Sequence, residues 1–258
     1  MSLNSFAKVL FVNIVGRFPD PSGALEKLAQ WIKFSRWCIQ KGSAVSPVAF
    51  RQEPYSNRPL YFERIVEGEH LREEAFDYLE FGVADGTSLR WWRDHTVNPS
   101  SRFFGFDTFQ GLPQDWAEHA PIGRFSTNGQ VPVMNDPRFQ LEVGMFQDTL
   151  PEFRTRFRRR GRLIVHLDAD LYSSTLFVLL TLGKLLEPGD LLLFDEFAFV
   201  THEFRAFNDF LSTFELSHDV AYAMGNFNKV CLRLSGGSRH QKAEALNEAL
   251  KDDAMNSK

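Results

Sequence analysis

Carboxylates stand at the ends of four apolar runs in this 258-residue sequence. Leu163–Leu167 leads into Asp168-Ala169-Asp170, and Leu191–Phe194 leads into Asp195-Glu196. Tyr78–Phe81 carries Glu80 and ends at Gly82, and Arg102–Phe106 ends at Asp107. Asp168 and Asp195 close successive runs and can converge. Two or three carboxylates with waters make a hard oxygen site for Mg²⁺ or another hard divalent cation. Such a cation can bind a substrate hydroxyl and lower its pKa. Asp170 and Glu196 have a second reading, as caps of the helices that follow them.

The turn Glu80-Phe81-Gly82-Val83-Ala84-Asp85-Gly86 points to a different ligand. Gly82 lets backbone approach a ligand closely. Gly86 opens a helix whose first amides can face it. Asp107, 25 residues after Gly82, sits where an acid accepts hydrogen bonds from ribose hydroxyls. The dinucleotide fingerprint wants further glycines where Ala84 and Thr87 stand. A pyrophosphate would meet side chains there, so the turn favours S-adenosylmethionine over a nicotinamide dinucleotide.

These residues need a scaffold, and the hydrophobic pattern supplies one. Short apolar strands are expected at 77–81, 102–106, 139–143, 163–167 and 191–194. Helical patterns are expected at 88–95, 149–159, 175–186 and 202–214. Strands apolar on both sides, alternating with helices, predict a parallel sheet covered on both faces. Strands 220–224 and 229–234 predict an antiparallel hairpin at its edge, around Gly225-Asn226. Ligands in such sheets bind beyond the carboxyl ends of the strands, where Glu80, Asp107, Gly144 with Phe146, Asp168 and Asp195 stand. Residues 111–138, rich in Gly and Pro, predict a long loop that acts as a lid, with Trp116 or Phe125 closing on the acceptor. Residues 1–40 and 61–75 read as helical and 42–60 as a loop. The boundaries are then 1–70 for a helical extension or cap, 71–235 for the cofactor-binding domain and 236–258 for a tail.

Composition narrows the class. Formal charge is −4, from 29 Lys+Arg against 33 Asp+Glu, which gives no pull toward nucleic acid. Two cysteines, Cys38 and Cys231, exclude a disulfide framework and suit a reducing, cytoplasmic compartment. No apolar run is long enough to span a bilayer, and Val9–Val12 lacks the flanks of a secretory leader. The 26 Phe predict a large aromatic core and hint at a homo-oligomer. The arginines between 154 and 162 read first as a solvated helix end. Of Trp91-Trp92, one is expected to pack inward and the other at an interface.

In these segments the chain resembles the macrocin O-methyltransferase family of class I S-adenosylmethionine-dependent enzymes. The carrying motifs are Tyr78–Val83, Gly105–Pro113, Gly144–Pro151, His166–Thr175 and Phe194-Asp195-Glu196, in the family's order. The resemblance implies a Rossmann-like seven-stranded sheet whose last strand is antiparallel. It implies that Glu80, Gly82 and Val83 line the methionine side of the cofactor, that Asp107, Thr108 and Phe109 hold the ribose, and that Phe146 lies by the adenine. Phe81, Gly86, Gly144 and Asp168 join that set. Asp168, Asp195 and Glu196 would bind Mg²⁺, with Glu196 standing where the family usually has Asp. The expected reaction is Mg-assisted O-methylation of a sugar or other small polyhydroxylated acceptor, with Asp168 or His202 as base. The alternatives are an NAD-type oxidoreductase, a non-catalytic nucleoside-binding or scaffold protein, and a metal-independent methyltransferase of nitrogen or nucleic acid.

Overall fold

Strands that are apolar on both sides need cover on both faces, and the helices of this chain divide to supply it. The computed structural model describes residues 22–42, 57–116, 120–214 and 216–236. The expectations for residues 1–21 and for the tail beyond 236 lie outside them. The elements are α1 (Ser22–Gly42), α2 (Arg58–Gly68), β1 (Phe76–Phe81), α3 (Thr87–His95), β2 (Arg102–Asp107), β3 (Phe139–Val143), α4 (Phe146–Arg156), β4 (Arg162–Leu167), α5 (Tyr172–Leu182), β5 (Leu191–Phe194), α6 (Glu203–Phe214), β6 (Ser217–Met224) and β7 (Lys229–Ser235). They form one seven-stranded sheet in the order β3-β2-β1-β4-β5-β7-β6. The pairs from β3 through β5 are parallel. Only β7 is reversed, antiparallel to both β5 and β6. The sheet expected from the sequence is therefore present, reversed last strand included.

Side chains alternate across each strand, so each strand feeds two cores. On one face Leu79, Phe81, Val165, Leu167, Leu192 and Phe194 pack with α1, α4, α5 and α6. On the other Tyr78, Phe103, Ile164 and Leu193 pack with α2 and α3. Glu80 and His166 are register partners, and parity places both on the α2/α3 face. Trp92 is fully buried there, while Trp91 stacks on His95 with 3.9 Å between ring centroids.

Three helices differ from their expected bounds. Asn57 caps α2 and Pro59 lies in its first turn, so the helix starts inside the Pro-rich stretch and stops at Gly68. Helices α4 and α5 each begin three residues early, at Phe146 and Tyr172. Pro151 is carried inside α4 rather than opening it. The arginine run divides: Arg154, Arg156, Arg158 and Arg160 are exposed, as a solvated helix end requires, whereas Arg159 and Arg162 turn inward. Arg159 makes two bonds to Asp190 (2.9 and 2.7 Å), Arg102 pairs with Asp77 at 2.7 Å, and Arg162 pairs with Glu69. These pairs close the amino edge of the sheet, away from the carboxylate ends. Among the described residues no helix is long and apolar enough to cross a membrane.

Helix α1 is anchored through Phe34 and Trp37 and leaves Leu25, Leu28, Ile32 and Ile39 exposed. Trp37 Nε1 donates to His218 Nε2 at 3.1 Å, which requires that nitrogen to be unprotonated. Burial pushes the His218 pKa down to about 4, with Lys41 adding to it and Asp219 opposing. A depressed histidine pKa gives stability that is present above the ordinary value of 6.5 and lost as pH falls toward the folded value. Between pH 7 and pH 4 the protein should lose about 3 kcal/mol more than His218→Gln does. Urea denaturation across that range checks this, and equal losses would acquit His218.

Candidate active site

Three strand tips are laced together where the carboxylates stand. The Gly82 amide donates to the Phe106 carbonyl and the Asp168 amide donates to the Phe81 carbonyl, both at 3.0 Å. Gly82 has φ +98°, and a Cβ on it would strike the carbonyl oxygen of Asp168. Only glycine fits this approach. Asp107 braces the turn beside it. Its Oδ2 accepts the Val83 and Ala84 amides, each at 2.8 Å, and its Oδ1 accepts the Phe109 amide at 2.7 Å. A carboxylate oxygen takes about two bonds, so Oδ1 keeps one lone pair for a ligand.

Above these tips lies a cavity of about 330 Å³. Gly82, Ala84, Asp107 and Thr108 form one side, and Asp168, Ala169 and Asp170 form its base. Met145, Phe146 and Gln147 line it from the start of α4, and Arg58 enters from α2. The roof is Leu112, Pro113, Trp116 and Phe125. This roof is ordered: Leu112 N donates to Arg124 O and Gly123 N to Leu112 O, both at 2.9 Å. Gly129 N and the Ser126 and Thr127 hydroxyls converge on the Phe109 carbonyl.

A second cavity, of about 730 Å³, adjoins the first. Trp31 and Phe34 of α1, Phe199, and Asn226, Asn228 and Lys229 around the β6–β7 turn line it. Trp116 and Glu196 line both cavities. Trp116 lies against Phe199, 4.6 Å between centroids.

Beneath the shared wall is a charged cluster. Ligating atoms of His166, Asp168 and Asp195 lie within 4.8 Å of one another. Arg58 bridges the carboxylates, 2.9 Å from Asp168 Oδ2 and also bonded to Asp195 Oδ2. Lys229 Nζ lies 2.7 Å from the same Asp195 oxygen. His166 Nε2 faces Asp195 Oδ1 at 3.5 Å, and its Nδ1 meets the Tyr78 hydroxyl at 2.7 Å. Burial disfavours the His166 cation, but Asp195 and Glu80 outweigh it and push its pKa up to about 9. Burial also works against the Asp195 carboxylate, yet His166, Arg58 and Lys229 hold it below the usual range. Burial and the Asp195 charge raise Asp168, against Arg58. Burial pushes Asp170 up to about 8 and Glu196 up to about 7.

This donor set does not fit the expected Mg²⁺ site. Glu196 is absent from it: consecutive residues diverge at the end of β5, and Glu196 accepts from Asn228 Nδ2 at 3.3 Å while its amide donates to Glu203 at 2.9 Å. Of the remaining oxygens, Asp168 Oδ2 and Asp195 Oδ2 face the Arg58 guanidinium and Asp195 Oδ2 also the Lys229 ammonium, while Asp195 Oδ1 and His166 Nε2 are buried without a hydrogen-bond partner.

The sequence model of the macrocin-O-methyltransferase (TylF) family matches residues 76–228. The chain belongs to this family. The 8-demethyl-8-(2,3-dimethoxy-alpha-L-rhamnosyl)-tetracenomycin-C 4'-O-methyltransferase of Streptomyces olivaceus is 30% identical over 155 residues, 50% of this chain and 58% of that protein. The match thus spans less than two thirds of that relative's length. Two solved structures share the fold. The calicheamicin methyltransferase CalS11 has a TM-score of 0.51 and 21% identity, over 69% of this chain and 77% of that one. The O-methyltransferase NovP has a TM-score of 0.52 and 20% identity, over 70% and 79%.

The macrocin O-methyltransferase motifs do not all reach the cavity. Gly82, Asp107, Thr108, Phe146, Asp168 and Glu196 line it, as do Trp116 and Phe125 of the expected lid. Glu80 does not: strand parity sends it to the α2/α3 face, where it accepts from Tyr78 at 2.9 Å. Phe81 points into the opposite core, stacked on Phe106. Val83 and Phe109 are buried in the second core, and Phe109 at φ +59° turns its ring inward. Gly86 caps α3, and Gly144 donates to the Asp107 carbonyl at 3.0 Å. Neither lines the cavity. His202 stands at the start of α6 and takes the Tyr172 amide at 3.4 Å on Nδ1, outside both cavities. Arg58, Met145 and Lys229 were missed, while Asp170, read from the sequence beside Asp168 or as a helix cap, lines the cavity. Met145 and Asp170 lie inside quoted motifs, whereas nothing local in the sequence marks Arg58.

Gly82→Ala would place a methyl group on a backbone oxygen and strain φ. It should lose about 3 kcal/mol or more of stability together with cofactor affinity, read by denaturation and calorimetry. Wild-type stability in that variant would show that the tips can part.

Proposed function

We propose that the chain is an S-adenosylmethionine-dependent O-methyltransferase acting on a hydroxyl of a sugar or glycosylated small molecule. The observation that carries this reading is that Trp116 and Glu196 line both cavities. They stand where a donor in the smaller space meets an acceptor in the larger. Family membership and the sugar named in the Streptomyces olivaceus relative support the reaction class. They leave no support for a nicotinamide oxidoreductase.

The residues fit the cofactor. Gly82 presents bare backbone, Asp107 Oδ1 keeps a lone pair for a ribose hydroxyl, and Met145, Phe146 and Gln147 offer an apolar slot for the adenine. When bound, S-adenosylmethionine supplies a methyl group on a cationic sulfonium. In the larger cavity Trp31, Phe34 and Phe199 offer aromatic faces for the apolar side of a sugar or aglycone. Asn226 and Asn228 offer hydrogen bonds to its hydroxyls. Glu196 is the base in this reading, because it lines both spaces. Trp116 and Phe125 exclude water as the roof. The two free cysteines, Cys38 and Cys231, suit the cytoplasmic setting that this reading adopts. Magnesium takes no step in this reading, because Arg58 and Lys229 already hold one oxygen each of Asp168 and Asp195 and Glu196 is turned to Asn228.

Calorimetry with S-adenosylmethionine, followed by labelled-methyl transfer onto glycosylated phenols and free sugars, tests the proposal. Saturable cofactor binding is expected. Glu196→Gln should keep that binding and lose roughly 10²–10⁴-fold in kcat. No cofactor binding by the wild type would overturn the reading. Full turnover in Glu196→Gln would remove Glu196 as base.

A further inference from the structure

We propose that Arg58 and Lys229 are the resident cations of the Asp168–Asp195 pair, in place of a divalent metal ion, and that Arg58 positions the acceptor hydroxyl there. The inference rests on the methyltransferase reading for the acceptor, but its cation part stands on geometry alone. Both residues lie outside residues 76–228, the stretch that the family model matches. The pair is thus joined by cations from two elements that this stretch does not include.

Lys229 is the decisive residue. It opens β7, the reversed strand, and its side chain is 2% exposed. Its ammonium lies 2.7 Å from Asp195 Oδ2 and 3.5 Å from the Asp195 carbonyl. The unpartnered Asp195 Oδ1 is the oxygen left for a metal, and a dication there would share one buried carboxylate with this ammonium on Oδ2, where like charges repel strongly. Moving Lys229 aside would leave a buried charge away from its carboxylate, which is costly. Arg58 completes the arrangement from the cavity side. Its guanidinium spans Asp168 and Asp195 and reaches Ser88 Oγ at 3.3 Å. Arg58 and Lys229 face the two carboxylates, with His166 beside Asp195 Oδ1 as a further partner. Arg58 is 34% exposed and lines the smaller cavity, and a guanidinium carries five N–H donors. An acceptor hydroxyl that passes Trp116 and Glu196 into the smaller cavity meets this guanidinium there, while Glu196 takes its proton. That is the positioning work a metal would do elsewhere.

Mn²⁺ titration of the full chain, followed by electron paramagnetic resonance, tests this. The wild type should bind no Mn²⁺ that depends on Asp195. Arg58→Met/Lys229→Met should bind one ion at least roughly tenfold more tightly than wild type. Asp195→Asn added to that double variant should abolish the gain. If the double variant does not fold, the partly exposed Arg58→Met alone carries the comparison. Saturable one-site Mn²⁺ binding by the wild type, lost in Asp195→Asn, would overturn the proposal. For Arg58, labelled-methyl transfer in excess chelator should continue undiminished, with KM for the acceptor raised in Arg58→Met and partly restored in Arg58→Lys. Turnover abolished by chelator and restored by Mg²⁺ would equally overturn it. Cofactor calorimetry on the same samples keeps the two readings apart. Absent S-adenosylmethionine binding defeats the methyltransferase reading, while the Mn²⁺ result judges the cations by itself.

Discussion

Asp195 is a fully buried carboxylate at the tip of β5, and keeping that charge paired organises the site. An isolated buried carboxylate is expensive. The chain meets the cost from three directions. His166 comes from the neighbouring strand, Lys229 from the reversed strand on the other side, and Arg58 from a helix 137 residues away in sequence. Each partner fixes an element. Arg58 ties α2 to the carboxyl edge, and Lys229 holds the start of β7 level with the end of β5. The order β4-β5-β7 is therefore supported by charge at its tip as well as by apolar packing along its length.

That arrangement explains what was legible in the sequence. Strand and helix alternate visibly because the strands are buried on both sides, and the convergence of Asp168 with Asp195 follows from adjacent parallel strands. Gly82 stands out because its neighbours form a turn with no room for pyrophosphate. Its reason in three dimensions is the Asp168 carbonyl beneath it. Where the reading fails, side-chain direction decides. Glu80 was assigned to the strand tip by its neighbourhood to Gly82, yet it shares parity with Tyr78 and so faces α2. Phe109 follows Asp107 and Thr108 in a motif, but a positive φ turns it into the core. Glu196 follows Asp195, and the turn after β5 separates the two side chains. His202 lies just past a strand, and the turn beyond Glu196 carries it out of both cavities.

Arg58 was not legible at all, for a physical reason. Its neighbours Asn57 and Pro59 explain themselves as a helix start, and no periodic pattern reports a partner so far away in sequence. Long-range ion pairs leave no local trace. The same limit hid the second cavity, whose walls come from α1, the roof and the β6–β7 turn.

The division of labour in the site follows from this. The motifs that carry the family resemblance build the strand tips and much of the smaller cavity. The larger cavity draws on Trp31 and Phe34 of α1, outside the family match, and on Trp116 and Phe199. Chemistry shared across a family belongs on strands, whose ends are fixed by the sheet. Recognition of a particular acceptor belongs on elements that can change without disturbing the sheet. Glu196 and Trp116 stand at the boundary between the two, and through Asn228 the Glu196 carboxylate is held by the turn that lines the larger space. Its position therefore depends on the acceptor side as well as on β5. Substitutions in the β6–β7 turn would move the Glu196 carboxylate along with the pocket, whereas changes in α1 can reshape the pocket alone.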